Sequence, residues 1–162
     1  MRGRGFTLLE AAITLAVLAI ITAAAVPTYH NLLARQQLRA AGEQLALDLR
    51  MAREQALRSG QPLYVSGRAG AKDWCWGVSS GQPCDCAGGV PRCTQSLGRS
   101  AEFPLLEMSR AEALSFEPRL GRSETVTSFE LKSRRGHSLQ VQVNPMGRAH
   151  LCGPDAPKPQ PC

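Results

Sequence analysis

The chain opens on a short charged leader and then loses its polarity almost completely. From Phe6 to Val26 the only ionisable residue is Glu10, and the only other polar residues are Thr7, Thr14 and Thr22. That run of 21 residues makes about 31 Å of helix at roughly 1.5 Å per residue, enough to cross the core of a bilayer. Beyond Pro27 the pattern becomes amphipathic. Leu38, Leu45, Leu49, Ala52 and Ala56 recur at helical spacing, and Arg39, Glu43, Arg50, Arg53 and Glu54 fall on the other sides. Ser59-Gly60-Gln61-Pro62 supplies a glycine and then a proline to stop the helix. The pattern predicts one helix over about 6–58, loosened at Pro27, where a backbone donor is missing.

The apolar stripe of the helix's second half needs a cover from the rest of the chain. Short segments at 62–66, 74–78, 113–116, 125–131 and 138–143 read as strands, with a brief one at 148–152. The clearest alternation puts Leu139, Val141 and Val143 on one face. The stretch 132–137 reads as a hairpin turn, and Asn144-Pro145-Met146-Gly147 as another. The expected fold is α+β: a long amino-terminal helix, half membrane-spanning and half in the head, laid on an antiparallel β-sheet.

Composition sharpens this picture. The chain has 162 residues, 43% of them hydrophobic and 20% charged, which suits one globular domain and excludes wholesale disorder. A net charge of +6 favours anionic partners without marking a dedicated nucleic-acid binder. All six cysteines follow position 74, and the even count favours disulfides outside the cytosol. Cys75, Cys84, Cys86 and Cys93 lack the paired spacing of a zinc site, so no metal is expected. Two pairings stay open: Cys75–Cys84 with Cys86–Cys93, or Cys75–Cys86 with Cys84–Cys93. Cys152 and Cys162 bracket a loop with four prolines, and a bridge between them would close it.

Glu10 decides how the amino terminus is read. A small-residue site at Ala23-Ala24-Ala25 allows a cleaved signal peptide, starting the mature chain at Val26. A carboxylate inside an apolar core costs about 2.5–3.5 kcal/mol on insertion scales, so it usually persists because something uses it. It can also snorkel to the headgroups. The segment Gly5-Phe6-Thr7-Leu8-Leu9-Glu10, followed by an apolar helix with Pro27, resembles the amino-terminal signal of type IV pilins and pseudopilins. The resemblance implies cleavage by a prepilin peptidase after Gly5 and N-methylation of Phe6. It also implies that the Phe6 amine pairs with Glu10 of a neighbouring subunit, so that pilins dock helix to helix. A charge pair buried among apolar helices is far less costly than a lone buried carboxylate. Pro27 matches the proline of the family's helix, and a carboxyl-terminal disulfide-bounded loop is also a pilin habit.

On this reading the chain divides into a leader at 1–5, a transmembrane and assembly helix at 6–29, a head at 30–151 and a Pro-rich tail at 152–162. The arginines of the leader stay cytoplasmic, which points the head outward. The protein is then a single-pass inner-membrane protein with a periplasmic head, later part of a surface fibre. Within the family it most resembles the GspH/FimT type. That implies a minor pilin of a type IV pilus, near the tip; a minor pseudopilin of type II secretion is the alternative.

No catalytic constellation or cofactor motif is present in the sequence. The histidines are His30, His137 and His150, none beside a nucleophile with an orienting carboxylate. The sharper chemistry is basic. Arg134, Arg135 and His137 belong to one predicted hairpin tip, and alternation puts Arg148 and His150 on one strand face. Guanidiniums so arrayed grip phosphates with little regard to base sequence. DNA-uptake members of the family carry Gly-Arg-x-Arg near the carboxyl end. Here Gly147 and Arg148 match and His150 replaces the second arginine, which makes double-stranded DNA a candidate partner through a weakened motif.

Overall fold

A computed structural model describes residues 7–95, 97–157 and 161–162, and the side chains of these apart from positions 24 and 27. Two compact units divide the chain, Met1–Leu33 and Ala34–Cys162. One helix, α1 (Leu8–Ser59), contributes to both.

In the first unit α1 is a single-sided problem: every side chain described from Thr7 to Leu32 is exposed. Its threonine hydroxyls are nonetheless satisfied locally. Thr7 caps the helix, its Oγ1 accepting the Glu10 N–H at 3.3 Å and its carbonyl the Ala11 N–H at 3.2 Å. The Thr14 hydroxyl donates to the Ala11 carbonyl and that of Thr22 to the Leu18 carbonyl, both at 2.9 Å. A helix that closes its own hydrogen bonds in this way suits lipid, where no water is available to do so. The backbone stays helical through position 27.

In the second unit the predicted stripe is the buried face. Leu38, Leu45, Leu49 and Ala56 are fully buried, with Ala34, Ala41 and Ala52 alongside. Gly60 ends the helix at φ +64°, its N–H donating to the Ala56 carbonyl at 3.1 Å. Eight strands follow: β1 (Leu63–Arg68), β2 (Cys75–Ser80), β3 (Leu97–Arg99), β4 (Leu106–Ala111), β5 (Leu114–Phe116), β6 (Thr127–Ser133), β7 (Ser138–Val143) and β8 (Ala149–Cys152).

The strands form two antiparallel four-stranded sheets, ordered β3-β2-β1-β5 and β4-β6-β7-β8, where the alternation suggests one. The extra elements are β3 and β4. The register of β4 against β6 shifts between Met108 and Arg110, so the period of two breaks inside the strand. β6 also begins two residues later than the pattern suggests. β7 buries Leu139, Val141 and Val143 in strict alternation.

Trp76 faces inward from β2, where its indole N–H donates to Asp48 Oδ2 of α1 at 2.8 Å and its ring stacks on Trp74 at 5.7 Å. The neighbour opposite Trp76 is Gly98, and a Cβ there would fall on the indole ring. The other face of β2 is also covered. Disulfides Cys75–Cys86 and Cys84–Cys93 hold the loop after β2 over it, and Cys93 lies where a Cβ of Gly77 would be. That is the second of the two pairings the spacing leaves open. Cys152–Cys162 closes the carboxyl-terminal loop. Ala156 of that loop is buried in the core, so the segment after 152 contributes packing to the head.

Candidate functional site

Two regions carry the candidate chemistry. The first is the exposed amino-terminal half of α1. Gly5 and Phe6 lie outside the described residues. Glu10 sits in the first turn of α1, exposed among exposed apolar side chains such as Leu9 (71%) and Ile13 (56%). Its carboxylate is the only charge in a stretch that meets the length and hydropathy of a membrane span.

The second region is basic, and β7 splits it in two. Arg134, Arg135 and His137 lie at the β6–β7 turn, whereas Arg148 and His150 lie at the β7–β8 turn and the start of β8. The six residues of β7 stand between them, roughly 17 Å at about 3.3 Å per residue. The six candidate residues therefore form two clusters.

At the β6–β7 end the turn is closed by the Ser133 N–H on the His137 carbonyl at 2.8 Å and the Gly136 N–H on the Ser133 carbonyl at 3.0 Å. Arg134 and Arg135 are exposed. His137 is held: Asp155 Oδ1 lies 3.3 Å from its Nδ1, and Arg35 Nε donates to its Nε2 at 3.3 Å. Asp155 also accepts the Ser138 N–H at 3.0 Å and lies 3.8 Å from Arg35 Nε. Its carbonyl accepts Arg39 Nε at 3.4 Å. One acidic residue of the carboxyl-terminal loop thus ties α1, β7 and the loop together.

At the β7–β8 end Asn144 builds the turn. Its Oδ1 accepts the N–H groups of Met146 at 3.1 Å and Arg148 at 3.0 Å, and its carbonyl accepts the Gly147 N–H at 2.8 Å. Gly147 is obligatory for two reasons. Its φ is +73°, and a Cβ would strike the Gly121 carbonyl and the Arg53 side chain. The glycine of the candidate DNA motif therefore has a packing role. Arg148 is exposed and His150 half-buried, on the outward side of a strand whose Ala149 is buried.

Two further arginines line a groove with Arg148, and spacing along the chain does not reveal them. Arg50 of α1 donates to the Ala149 carbonyl at 3.4 Å, and Arg53 donates to the Gly121 carbonyl at 2.9 Å. With Glu54, Gly147, Arg148 and Ala149 they line an open groove. The only sequence signal was their place on the flank of the buried stripe, next to whatever covers it.

One carboxylate elsewhere on the second sheet is perturbed. Glu130 is held below the usual glutamate range, first by the Ser109 hydroxyl donating to it at 2.6 Å, then by Lys132 at 3.4 Å and by Arg110. This is local surface chemistry, remote from both candidate regions in its partners. Among the described residues no cluster of three metal-ligating side chains occurs.

Comparison with known proteins fits this architecture. The family model for type II transport protein GspH matches residues 41–147, and that for the prokaryotic N-terminal methylation motif matches residues 1–26. Two crystal structures of the type IV minor pilin FimU of Pseudomonas aeruginosa share the fold. One has 21% sequence identity and a TM-score of 0.55, over 77% of this chain and 96% of that one. The other has 19% identity and a TM-score of 0.51, over 74% of this chain and 97% of that one. No curated protein matches. A long helix with an exposed apolar front half, antiparallel sheets on its back half and an amino-terminal methylation motif place the chain in the GspH family of type IV pilin-like proteins.

Proposed function

We propose that this chain is a minor pilin of a type IV pilus, processed by prepilin peptidase after Gly5, methylated at Phe6 and held in the inner membrane until it joins the fibre. The observation that carries this reading is the contrast within the front of α1. Its threonine hydroxyls are satisfied, its apolar side chains are exposed, and the Glu10 carboxylate meets no cation or hydrogen-bond donor among the described residues. A Phe6 amine from a neighbouring subunit supplies the missing charge. The fold likeness to FimU, itself described as a type IV minor pilin, favours the pilus over a type II secretion pseudopilus. The cystine-stapled loop and the closed carboxyl-terminal loop give this subunit a specialised head, which suits a place near the tip. Intact mass of the membrane-extracted protein tests the processing step. A chain starting at Phe6 with one added methyl supports the reading, and a chain starting at Val26 refutes it.

A second reading, favoured by exposed Arg148 in its fixed turn, gives the head an additional role in binding double-stranded DNA. Salt-sensitive binding of duplex DNA by the purified chain tests it, and the absence of binding at low ionic strength refutes it.

A further inference from the structure

The end of the head where α1 stops carries three large apolar side chains in the open. Leu57, in the last turns of α1, is 38% exposed, and Leu120 and Met146 are each 55% exposed. They come from three separate segments and meet at two glycines. A Cβ on Gly121 would stand 3.3 Å from Leu57 Cδ1, and one on Gly147 would strike the Gly121 carbonyl. Leu120 and Met146 are the chain neighbours of those two glycines.

This surface has a fixed frame beneath it. The Ser123 N–H donates to the Pro145 carbonyl at 3.2 Å, which joins the β5–β6 connection to the β7–β8 turn. The Gly121 N–H donates to the Glu117 carbonyl at 2.9 Å and closes the turn that carries Leu120. Arg53 Nε donates to the Gly121 carbonyl at 2.9 Å and ties the same turn to α1. Docking on a frame already held in this way orders little backbone, so less of the contact energy is lost to entropy.

Charge selects the occupant. Arg58, Arg119, Arg122 and Arg148 are exposed beside the apolar three. Among the described residues Arg119, Arg122 and Arg148 make no ion pair. The acids nearby in sequence are Glu54, Glu117 and Glu124, and Glu54 is engaged by Arg58 at 3.3 Å. An apolar centre with a guanidinium rim is the composition of a protein–protein interface, where methionine and arginine are enriched. A phosphate backbone would be met by the arginines alone and would leave the apolar side chains without a partner. A second copy would bring the same arginines against these, and like charges facing across an interface repel.

We infer that Leu57, Leu120 and Met146 form a docking face for the head of a different, acidic subunit of the same fibre. That subunit sets an apolar side chain among the three and carboxylates against Arg119 and Arg122. The inference rests on the pilin reading above and adds a head-to-head contact to the helix docking governed by Glu10.

The test is photocrosslinking of the full chain in the cells that make the fibre, with benzoylphenylalanine in place of Leu120 or Met146. The control carries it in place of Val90, which is 92% exposed on the stapled loop. Positions 120 and 146 are expected to give one product, joining this chain to another methylated pilin-type subunit of net negative charge, and position 90 is not. Leu120→Asp should lower the yield from position 146 at least about tenfold, as for an interface anchor. Arg119→Glu/Arg122→Glu should lower it likewise, whereas Arg119→Lys/Arg122→Lys should keep it, a difference that loss of structure does not produce. Products joining positions 120 and 146 to a second copy of this chain or to DNA would overturn the assignment, as would an equal yield from position 90. So would the lack of any product from a chain that intact mass shows to be methylated at Phe6 and that enters filaments. A chain starting at Val26 would instead remove the pilin reading, and this face with it.

Discussion

The two halves of α1 are made of similar residues and meet opposite fates. In the back half Leu38, Leu45 and Leu49 are fully buried, because the two sheets of the same chain cover them. In the front half Leu15, Leu18 and Ile20 are 66%, 57% and 71% exposed. Apolar area of that size is stable only in lipid or against other apolar helices. The back half is therefore folded by its own chain and the front half by its surroundings. The lesson is that hydrophobicity sets how much must be covered, and its spacing says by what. A stripe with polar flanks calls for one packed face, and an all-round apolar surface calls for a membrane or a bundle.

Paired leucine truncations test this contrast with the largest effect. Leu45→Ala or Leu49→Ala should cost about 2–5 kcal/mol of head stability, as expected for a buried leucine. Leu15→Ala should leave the head's denaturant midpoint unchanged. Equal losses from both halves would contradict the division.

A smaller effect probes how the back half is fastened. Trp76→Phe keeps most of the apolar contact but strips Asp48, which is 6% exposed, of its indole donor. The expected loss is about 1–3 kcal/mol, the cost of a buried acceptor without its partner. Asp48→Asn, which keeps an acceptor oxygen, should cost less in the same unfolding experiment. A larger loss from Asp48→Asn would mean that the carboxylate charge, rather than the hydrogen bond, holds β2 on the helix.

The smallest effect is one of pH. Glu130 is held below its ordinary value, chiefly by the Ser109 hydroxyl. A carboxyl group lowered on folding stabilises the native state above its unfolded value, and that contribution fades as pH falls through the lowered value. Parent and Glu130→Gln should therefore differ most near neutral pH and converge in acid, by urea unfolding at several pH values. A gap that widens in acid would reverse the assigned sign.

Much of this was legible in residues. The exposed run, the stripe of α1, the Gly60 stop and the alternation of β7 follow from periodicity, since each obeys one repeat over many positions. β4 was not legible, because the bulge at Met108/Arg110 breaks its alternation. β3 was missed because Leu97–Arg99 is three residues long with a glycine at its centre, too short to show a period. The split into two sheets was not legible either, because no local pattern says that β5 pairs with β1 and not with β6. The basic residues were legible in the sequence, but their distant partners were not. Arg134 and Arg148 are near in sequence but sit at opposite ends of β7, whereas Arg50 meets the Ala149 carbonyl across 99 positions. Asp155 escaped notice for the same reason: nothing local says that a tail residue will meet Arg35 and His137.

Docking of neighbouring subunits rests on the single carboxylate in the front half of α1. Incorporation of Glu10→Gln into fibres, measured against the parent at equal membrane abundance, tests it most directly. The variant is expected to be processed and to stay in the membrane but to be absent from sheared filaments. Recovery of the variant in filaments at the parent's level would contradict it.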